Sequence, residues 1–334
     1  MRAYEITKFG IDELKIAERP EPWPGFGQVV VRVRAVSLNF RDLMVARGQY
    51  NPKLKMPMVP CSDAAGQVTA VGEGVTRVKP GDRVCGIFMQ GWLSGEVSEA
   101  ASRTAMGGAI DGVLAESIVL NQEGVVPIPE HLSFEEAATL PCAAVTAWDA
   151  LVVRGKLRAG DTVLLLGTGG VSIFALQFAV MSGARVIATS SSDEKLARAR
   201  SMGAAEGVNY KTVPDWEEKV RKLTGIGVDH VVEVGGSGTL MKSLRAVRMG
   251  GTVSVIGALS GGAGEVSPVP ILMKSIQVHG VFVGSREMFE AMNRAIVAHQ
   301  MKPVIDRVFS FEEAIDAMHY MESGAHFGKV VIRV

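Results

Sequence analysis

A glycine-rich turn between two apolar runs is the segment of this sequence whose residue types point most directly to chemistry. The turn lies between residues 163–166 and 173–181 and consists of Gly167, Thr168, Gly169, Gly170, Val171 and Ser172. Gly167 permits a tight bend, and Gly169 lets backbone amides approach an anion because no Cβ stands in the way. A helix that begins near Gly170 directs its positive end to the same place. The turn therefore predicts a pyrophosphate cradle formed by Gly167, Gly169, Gly170 and Val171.

The third glycine of the usual dinucleotide fingerprint is replaced here by Ser172. An ordinary glycine turn is the alternative, since such patterns also arise without a ligand. The residues downstream of the turn must therefore decide between a phosphate site and a structural turn.

Hydroxyl groups stand where the adenine ribose of a dinucleotide is expected, about twenty residues beyond the turn. Ser190 and Ser191 occupy this place, and Lys195 follows one helical turn later. An acidic residue there would repel a 2′-phosphate, whereas serines and a lysine can bind one. We therefore predict NADP(H) rather than NAD(H), with Tyr210 as a further contact. The alternative is that the serines only cap the next helix.

Strands and helices alternate over the second half of the chain. The predicted strands cover residues 162–166, 185–189, 228–234, 252–256 and a short run that ends at Tyr210, with helices between them. Continuous apolar strands that alternate with helices indicate a doubly wound parallel sheet. We therefore assign residues 127–285 to an α/β Rossmann domain, in which Gly257 and Phe282 are also predicted to contact the cofactor.

The first half of the chain has short β-rich runs separated by glycine and proline, such as residues 29–36, 66–71 and 83–88. This pattern predicts a compact β-rich barrel. Residues 90–111 show little periodicity and are predicted to form a surface loop or lid. Two helices and one strand after residue 286 are too few for a domain of their own. We therefore assign residues 1–126, completed by 286–334, to one domain.

Composition restricts the class of protein. The 334 residues include 35 acidic and 35 basic side chains, which gives no basic field for nucleic acid. No apolar run has the length of a membrane span and no signal peptide is evident, so we predict a cytoplasmic protein with a small-molecule substrate. The three cysteines, Cys61, Cys85 and Cys142, are too few and too scattered for a disulfide framework.

The order of a β-rich half, a Rossmann unit and a carboxy-terminal return resembles the medium-chain dehydrogenase/reductase superfamily over essentially the whole chain. The zinc-independent quinone oxidoreductase-like branch is the most similar, with a GroES-like barrel as its first domain. The resemblance rests on residues 37–42 (SLNFRD), 70–75 (AVGEGV), 80–84 (PGDRV) and 140–143 (LPCA). It implies that Lys195 and Tyr210 bind the 2′-phosphate and that Thr146 lies beside the nicotinamide.

Zinc-dependent members of the superfamily hold a catalytic metal with cysteine, histidine and glutamate side chains. The matching positions in this chain are Asn39, Ser62, Asp63 and Cys142, and residues 90–111 lack the cysteines of the structural zinc loop. Catalytic zinc needs three protein ligands and an open position. We therefore predict that the protein uses no metal.

Without a Lewis acid, hydride transfer is easiest to a conjugated carbonyl, because the developing charge spreads onto its oxygen. Asn39 is predicted to bind that oxygen, and Tyr50 to bind it or to donate the proton; the resemblance supports both positions. Each residue could instead be structural, Asn39 in its loop and Tyr50 in packing. Arg41, Asp42 and Asp63 are predicted to form a structural ion-pair network, and Trp92 could border the substrate.

These observations predict a zinc-independent, NADPH-dependent oxidoreductase that acts on an enone or a quinone. Two alternatives remain open, a zinc-free alcohol dehydrogenase or carbonyl reductase and a non-catalytic NADPH-binding protein. The apolar run 277–283 is expected at the edge of the parallel sheet, where it invites strand pairing with a second copy. We therefore expect a homodimer.

Overall fold

The computed structural model describes all 334 residues and divides into two compact units. The first unit comprises residues 1–145 and 284–334, and the second comprises residues 146–283. None of the helices combines the length and the apolar character that crossing a bilayer requires.

The chain contains fifteen strands and eleven α-helices. The strands are β1 (Arg2–Glu5), β2 (Lys15–Glu18), β3 (Gln28–Ser37), β4 (Asp63–Val71), β5 (Arg83–Gly86), β6 (Ser117–Asn121), β7 (Val125–Pro127), β8 (Thr162–Leu165), β9 (Arg185–Ser190), β10 (Glu206–Asn209), β11 (Val228–Glu233), β12 (Val247–Val255), β13 (Gln277–Gly280), β14 (Ile305–Ser310) and β15 (Lys329–Arg333). The helices are α1 (Phe40–Ala46), α2 (Glu99–Ser102), α3 (Phe134–Ala138), α4 (Val145–Trp148), α5 (Gly170–Met181), α6 (Asp193–Ser201), α7 (Trp216–Thr224), α8 (Leu240–Ala246), α9 (Val269–Lys274), α10 (Arg286–Ala298) and α11 (Ala314–Glu322).

The first unit is built on a seven-stranded sheet around the long strand β3. The strand order is β14-β15-β3-β4-β5-β7, and β6 also pairs with β3. Strand β6 pairs antiparallel with the first half of β3, and β15 pairs with its last three residues. The carboxy-terminal return predicted from sequence is therefore correct. It brings two strands rather than one, since β14 pairs in parallel with β15.

Buried apolar residues and exposed polar residues alternate along the strands of this sheet, because successive side chains in a strand point to opposite sides. Along β3, Val29, Val31 and Val33 join the core while Arg32 and Arg34 are exposed. The core continues through buried side chains of α11 and β15. The sheet thus fixes the last residue of β3 and the first residue of β15, and the polar cluster described below lies at these two points.

The first unit extends further along the chain than the sequence predicted. The predicted boundary followed residue 126, but residues up to Val145 belong with the first unit. Helix α3 begins at a capping box formed by Ser133 and Glu136, as expected from the sequence. The Cys85 thiol of β5 donates a hydrogen bond to Ala137 O in this helix. The Phe134 ring also lies 4.7 Å from the Arg83 guanidinium. These contacts hold α3 to the β-rich sheet.

Residues 90–111 are in part the surface loop predicted from their composition, since residues 94–100 are all exposed and only Glu99–Ser102 is helical. They include α2 and short β-bridges from Met89 to Ala105 and from Met106 to Ile110. Trp92 is almost fully buried, and its indole nitrogen donates to Gly95 O at 3.0 Å. Trp92 therefore contributes to the packing of this segment.

The second unit is a six-stranded parallel sheet in the order β10-β9-β8-β11-β12-β13. All of its pairings are parallel, and its central strands β8, β9 and β11 are largely buried, as expected when helices cover both faces. Strand β13 is an edge strand, as predicted, although it ends at Gly280. Helix α9 was not predicted, and none of its residues is buried.

Candidate functional site

A buried polar cluster in the first unit forms where β3 gives way to α1. Asn39 immediately precedes α1, and its backbone N–H donates to the Asp42 carboxylate at 2.8 Å. This contact satisfies one of the amides that a helix start leaves without an internal partner. Asn39, predicted as a carbonyl binder, is thereby held at a fixed point at the start of the helix.

Lys329, which the sequence reasoning did not single out, reaches the same place from the first residue of β15. Its ammonium donates to Leu38 O at 2.6 Å and to Asn39 Oδ1 at 2.7 Å, and the side chain is buried. The Asn39 Nδ2 atom is also buried, and the Asp63 carboxylate takes a side-chain hydrogen bond from Asn39. The Asn39 amide thus lies between a buried cation and a buried carboxylate.

Asp63 is the second carboxylate of the cluster. Its oxygens accept hydrogen bonds from the Ser62 hydroxyl at 2.7 Å and from the Cys142 backbone N–H at 2.9 Å. Burial raises the pKa of the Asp63 carboxyl, and the nearby charge of Lys329 opposes that rise. Conversely, burial lowers the pKa of the Lys329 ammonium, while Asp63 opposes the decrease.

The backbone before Asp63 is strained. Cys61 has a φ of 68°, which is a left-handed backbone conformation that residues other than glycine rarely adopt. Gly107 and Gly112 both lie against the Cys61 carbonyl, where an added Cβ would come within 2.3 and 2.1 Å of its oxygen. The close approach of these two glycines thus holds the strained residue beside the polar cluster.

Tyr50 and Arg41 form the outer part of this region. The Arg41 guanidinium lies 5.0 Å from the centre of the Tyr50 ring and 5.1 Å from that of Phe88. It also donates to Met106 O and lies 3.4 Å from Asp42. Tyr50 is 38% exposed.

The predicted ion-pair network of Arg41, Asp42 and Asp63 is only half correct. Arg41 pairs with Asp42, but Asp63 forms no ion pair with Arg41 or Lys329. It accepts hydrogen bonds from the Ser62 hydroxyl and the Cys142 amide instead. The reason is that Lys329 supplies the positive charge on that side, as the main charged neighbour of Asp63.

A divalent metal does not fit the positions that bind zinc in the zinc-dependent branch. The Asn39 oxygen is occupied by the Lys329 ammonium, which would repel a metal cation. Burial raises the pKa of the Cys142 thiol and so disfavours the thiolate that zinc requires. No group of three or more His, Cys, Asp or Glu side chains in the structure could hold a metal ion.

The glycine-rich turn of the second unit has the geometry of an anion cradle. Gly167 has a φ of 74°, and a Cβ there would meet only open space. Gly169 is extended and precedes α5, whose first amides have no partner within the helix. Ser172 donates its hydroxyl to Leu166 O at 2.7 Å and is buried, which explains why a small polar residue can replace the third glycine. The turn fits a pyrophosphate.

The predicted ribose-binding residues come together at the carboxyl ends of β9 and β10. Asn209 pairs with Ser190 across the two strands, and the next backbone amide, of Tyr210, donates to Ser190 O at 3.0 Å. Ser190 is buried and accepts a hydrogen bond from the Ser192 amide, while Ser191 is half-buried. Ser192 caps α6 by accepting from the Lys195 amide at 3.3 Å. The helix cap is therefore present in this turn, and the phosphate role of the same turn stays a prediction.

A buried glutamate organises the next strand end, and the sequence reasoning missed it. Glu233 ends β11 and accepts hydrogen bonds from the Gly235 amide at 2.7 Å and from the Thr239 hydroxyl at 2.6 Å, as well as from the Gly236 amide and the Ser243 hydroxyl. An apolar strand followed by Glu and two glycines is the sequence signal that could have identified it. The acceptor fixes the loop between β11 and α8.

The remaining predicted cofactor residues also lie in the second unit. Thr146 is buried in α4, and Phe282 is partly exposed just beyond β13. Gly257 lies where an added Cβ would come within 2.6 Å of Val234 O, so close backbone packing explains this glycine even without a ligand.

Two family models match this chain. The alcohol dehydrogenase GroES-like domain matches residues 25–130, and the zinc-binding dehydrogenase domain matches residues 170–298. The chain is 43% identical to a zinc-type alcohol dehydrogenase-like protein of Schizosaccharomyces pombe, over 97% of this chain and 96% of that protein.

Solved structures show the same similarity. An NAD-dependent alcohol dehydrogenase is 36% identical with a TM-score of 0.91, and the alignment covers all of both chains. A mycobacterial protein in complex with NADPH is 28% identical with a TM-score of 0.85, again over all of both chains. The chain thus belongs to the medium-chain dehydrogenase/reductase superfamily, and its general activity is that of an oxidoreductase.

Proposed function

We propose that this protein is a metal-independent, NADPH-dependent reductase of conjugated carbonyls, either enones or quinones. The observation that carries the proposal is the Lys329 ammonium on Asn39 Oδ1, a buried positive charge at the positions that hold the metal in the zinc-dependent branch. Such a charge would stabilise a carbonyl oxygen that gains negative charge during reduction. Because such stabilisation is modest beside that of a metal ion, a conjugated substrate suits the cluster better than a simple ketone.

The second unit would hold the cofactor. The turn at Gly167–Gly170 and the first amides of α5 would bind the pyrophosphate, and Ser190, Ser191, Lys195 and Tyr210 would bind the phosphorylated ribose. When bound, the reduced nicotinamide supplies a hydride to the carbon β to the carbonyl, or to the quinone. The absence of an acidic side chain at Ser190 favours NADPH over NADH.

Groups of the first unit would manage charge and protons. Asn39 would donate a hydrogen bond to the carbonyl oxygen, and the partly exposed Tyr50 hydroxyl would return a proton from solvent. Arg41, packed against the Tyr50 ring, would fix the position of that ring.

A saturated alcohol or ketone is the second candidate substrate, because two of the similar proteins are named alcohol dehydrogenases or alcohol dehydrogenase-like. The experiment that separates the candidates is NADPH oxidation with a matched pair, 2-cyclohexen-1-one and cyclohexanone, together with 1,4-benzoquinone. We expect kcat/KM for the enone or the quinone to exceed that for cyclohexanone at least about tenfold, and chelators to have no effect.

Each other outcome has a definite meaning. Turnover of cyclohexanone alone would contradict the conjugated-substrate proposal and favour a carbonyl reductase. Tight NADPH binding without any turnover would favour a non-catalytic protein. Loss of activity after chelation, with recovery on adding zinc, would contradict the metal-free proposal.

We also propose that two copies of the chain associate through the β13 edge of the second unit. Strand β13 has a neighbour on one side only, so its outer backbone groups can pair with a second copy. Helix α9 precedes it and exposes Val269, Leu272 and Met273. An unpaired strand edge flanked by apolar side chains suits a two-fold interface.

A further inference from the structure

Glu233 is a fully buried carboxylate whose four hydrogen bonds all come from the loop and the helix that follow it. One of its oxygens accepts from the Gly235 amide at 2.7 Å, the Gly236 amide at 3.0 Å and the Thr239 hydroxyl at 2.6 Å. The other oxygen accepts from the Ser243 hydroxyl. Hydrogen bonds to a carboxylate are stronger than those between neutral groups, so the chain after β11 is held tightly.

Two glycines let this part of the chain reach the carboxylate. Gly236 has a φ of 86°, and a Cβ at Gly235 would come within 2.2 Å of the Thr239 hydroxyl oxygen. A larger residue at either position would therefore move an amide away from Glu233. The conformation of residues 234–239, which we call the β11 loop, thus depends on Glu233 and on these glycines together.

The β11 loop is joined to the loop that follows β12. The Ser260 hydroxyl accepts a hydrogen bond from the Gly238 amide at 3.1 Å and donates one to Gly235 O at 2.7 Å. A hydroxyl group can accept and donate at the same time, so a single side chain connects the two loops. The order that Glu233 imposes on the β11 loop therefore extends to the neighbouring loop.

The β11 loop lies at the point where the parallel sheet changes direction. The chain runs outward from β8 through β9 to β10, and then continues on the other side of β8 from β11 through β12 to β13. In open parallel sheets, ligands bind outside the carboxyl ends of the strands at such a point. The Leu166 amide at the end of β8 donates to Val232 O of β11 at 3.4 Å. The glycine turn at Gly167–Gly170 and the β11 loop therefore flank the place where a dinucleotide would bind.

We propose that Glu233 is a positioning residue for the nicotinamide cofactor: through its four hydrogen bonds it holds the β11 loop in the conformation that the bound dinucleotide contacts. This inference rests on the part of the proposed function that places the pyrophosphate at Gly167–Gly170. Glu233 is buried and acts only through the loop. A loop that is ordered before the ligand arrives loses less conformational entropy on binding, and this raises the affinity.

The test compares Glu233→Ala, which removes both acceptor oxygens, with Glu233→Gln, which keeps one oxygen for the loop amides. The new amide NH2 group of the glutamine can donate to the Ser243 hydroxyl, because a hydroxyl also accepts. For Glu233→Ala we expect the NADPH dissociation constant to rise at least about tenfold, and Glu233→Gln should recover most of the affinity. Equal dissociation constants in wild type and Glu233→Ala would overturn the inference.

Steady-state kinetics provide a readout that a merely structural glutamate would not affect. In Glu233→Ala, KM for NADPH should rise together with the dissociation constant. At saturating NADPH, kcat should change less than about threefold, because the bound cofactor orders the loop again. A loss that is confined to kcat, with KM for NADPH unchanged, would overturn the inference.

A matched control is Asp229→Ala, a carboxylate at the opposite end of the same strand. Asp229 accepts from the Thr162 amide at 2.7 Å and from the Arg248 guanidinium at 2.6 Å. Its loss should lower stability but change the NADPH dissociation constant less than about twofold, since it lies at the amino end of β11. A loss of affinity equal to that of Glu233→Ala would show that general destabilisation is the cause, and would overturn the inference.

Thr239→Val decides the question if Glu233→Ala does not fold. Valine keeps the branched shape of threonine and removes one of the donors to Glu233. The NADPH dissociation constant should rise about threefold, because one hydrogen bond that orders the loop is lost. An unchanged dissociation constant in Thr239→Val would overturn the inference.

Gly169→Asp separates a failure of this inference from a failure of the proposed cofactor site. Gly169 precedes α5 with a φ of −78°, and aspartate is a favourable residue at the start of a helix, so the variant should fold. Its charge would repel a pyrophosphate, and NADPH affinity should fall at least about 100-fold. Unchanged affinity in Gly169→Asp would contradict the proposed cofactor site and, with it, this inference. Lost affinity in Gly169→Asp beside unchanged affinity in Glu233→Ala would contradict only the role of Glu233.

Discussion

Asp42 is a buried carboxylic acid whose titration we expect to appear in the stability of the protein. Burial raises its pKa from 3.8 to about 6, and the adjacent Arg41 opposes the rise. The native state therefore keeps the proton to higher pH than the unfolded state does. Between the two pKa values the unfolded chain loses the proton first, so the free energy of unfolding falls as pH rises.

The predicted size of this effect is about 2 kcal/mol between pH 4.5 and 7, since one pKa unit corresponds to about 1.4 kcal/mol. The measurement is urea unfolding of the wild type and of Asp42→Asn at several pH values. The stability difference, wild type minus variant, should shrink as pH rises, because asparagine does not titrate. A difference that is constant with pH, or that grows, would contradict the raised pKa.

Residues that belong to a local motif could be singled out from the sequence, and their roles in the site stay predictions. Asn39 was singled out from its place in SLNFRD, and the structure places it in a buried polar cluster. Lys329 was missed because its partners Leu38 and Asn39 lie almost the whole chain away, a pairing that only the β3 and β15 register creates. Trp92 was offered as a residue that could border the substrate, and its burial could not be read from composition.

The turn from β9 into α6 is the element that should distinguish the two nicotinamide cofactors. Ser190 ends the strand and Ser191 follows it. Lys195 lies in the first turn of the helix, and the Tyr210 amide donates to Ser190 O at the same strand end. We predict that NADPH binds more tightly than NADH and that Lys195→Ala weakens NADPH binding about tenfold, because a phosphate contact from lysine is lost. NADH affinity should stay within about twofold.

The measurement is fluorescence titration of both cofactors with wild type, Lys195→Ala and the control Lys219→Ala, an exposed lysine of α7. The control should leave both affinities unchanged. Equal affinities of the wild type for NADH and NADPH, together with an unchanged NADPH affinity in Lys195→Ala, would contradict the assignment of the 2′-phosphate site.

Elements with a strong periodic pattern or a cap were predicted closely. Helix α3 has the capping box read from Ser133 and Glu136, and β8 and α5 flank the glycine turn as expected. Strand β14 and helix α9 were missed. Strand β14 becomes a strand through parallel pairing with β15, and α9 has no buried face to give it a periodic pattern.

At the scale of the whole molecule, the two-unit organisation and the parallel sheet were predictable from alternating apolar strands and helices, because that pattern has few architectures. The boundary near residue 145 was not predictable in this way, since the segment after residue 126 joins the first unit through contacts such as that of Phe134 with Arg83. Strand β13 was expected at the sheet edge and lies there. The oligomeric state is the prediction that depends on this edge.

We predict that the wild type is a dimer in solution and that the double variant Leu272→Glu, Met273→Glu is a monomer. These side chains of α9 are 77% and 70% exposed in the single chain, and carboxylates buried at a two-fold interface would repel one another without partners. The control is Ile226→Glu, which is equally exposed at 69% but lies in the turn before β11, away from the β13 edge. Sedimentation velocity at micromolar concentration measures the outcome. A monomeric wild type, or a double variant that stays dimeric, would place any association on another surface, whereas a monomeric control would show that added charge alone disrupts it.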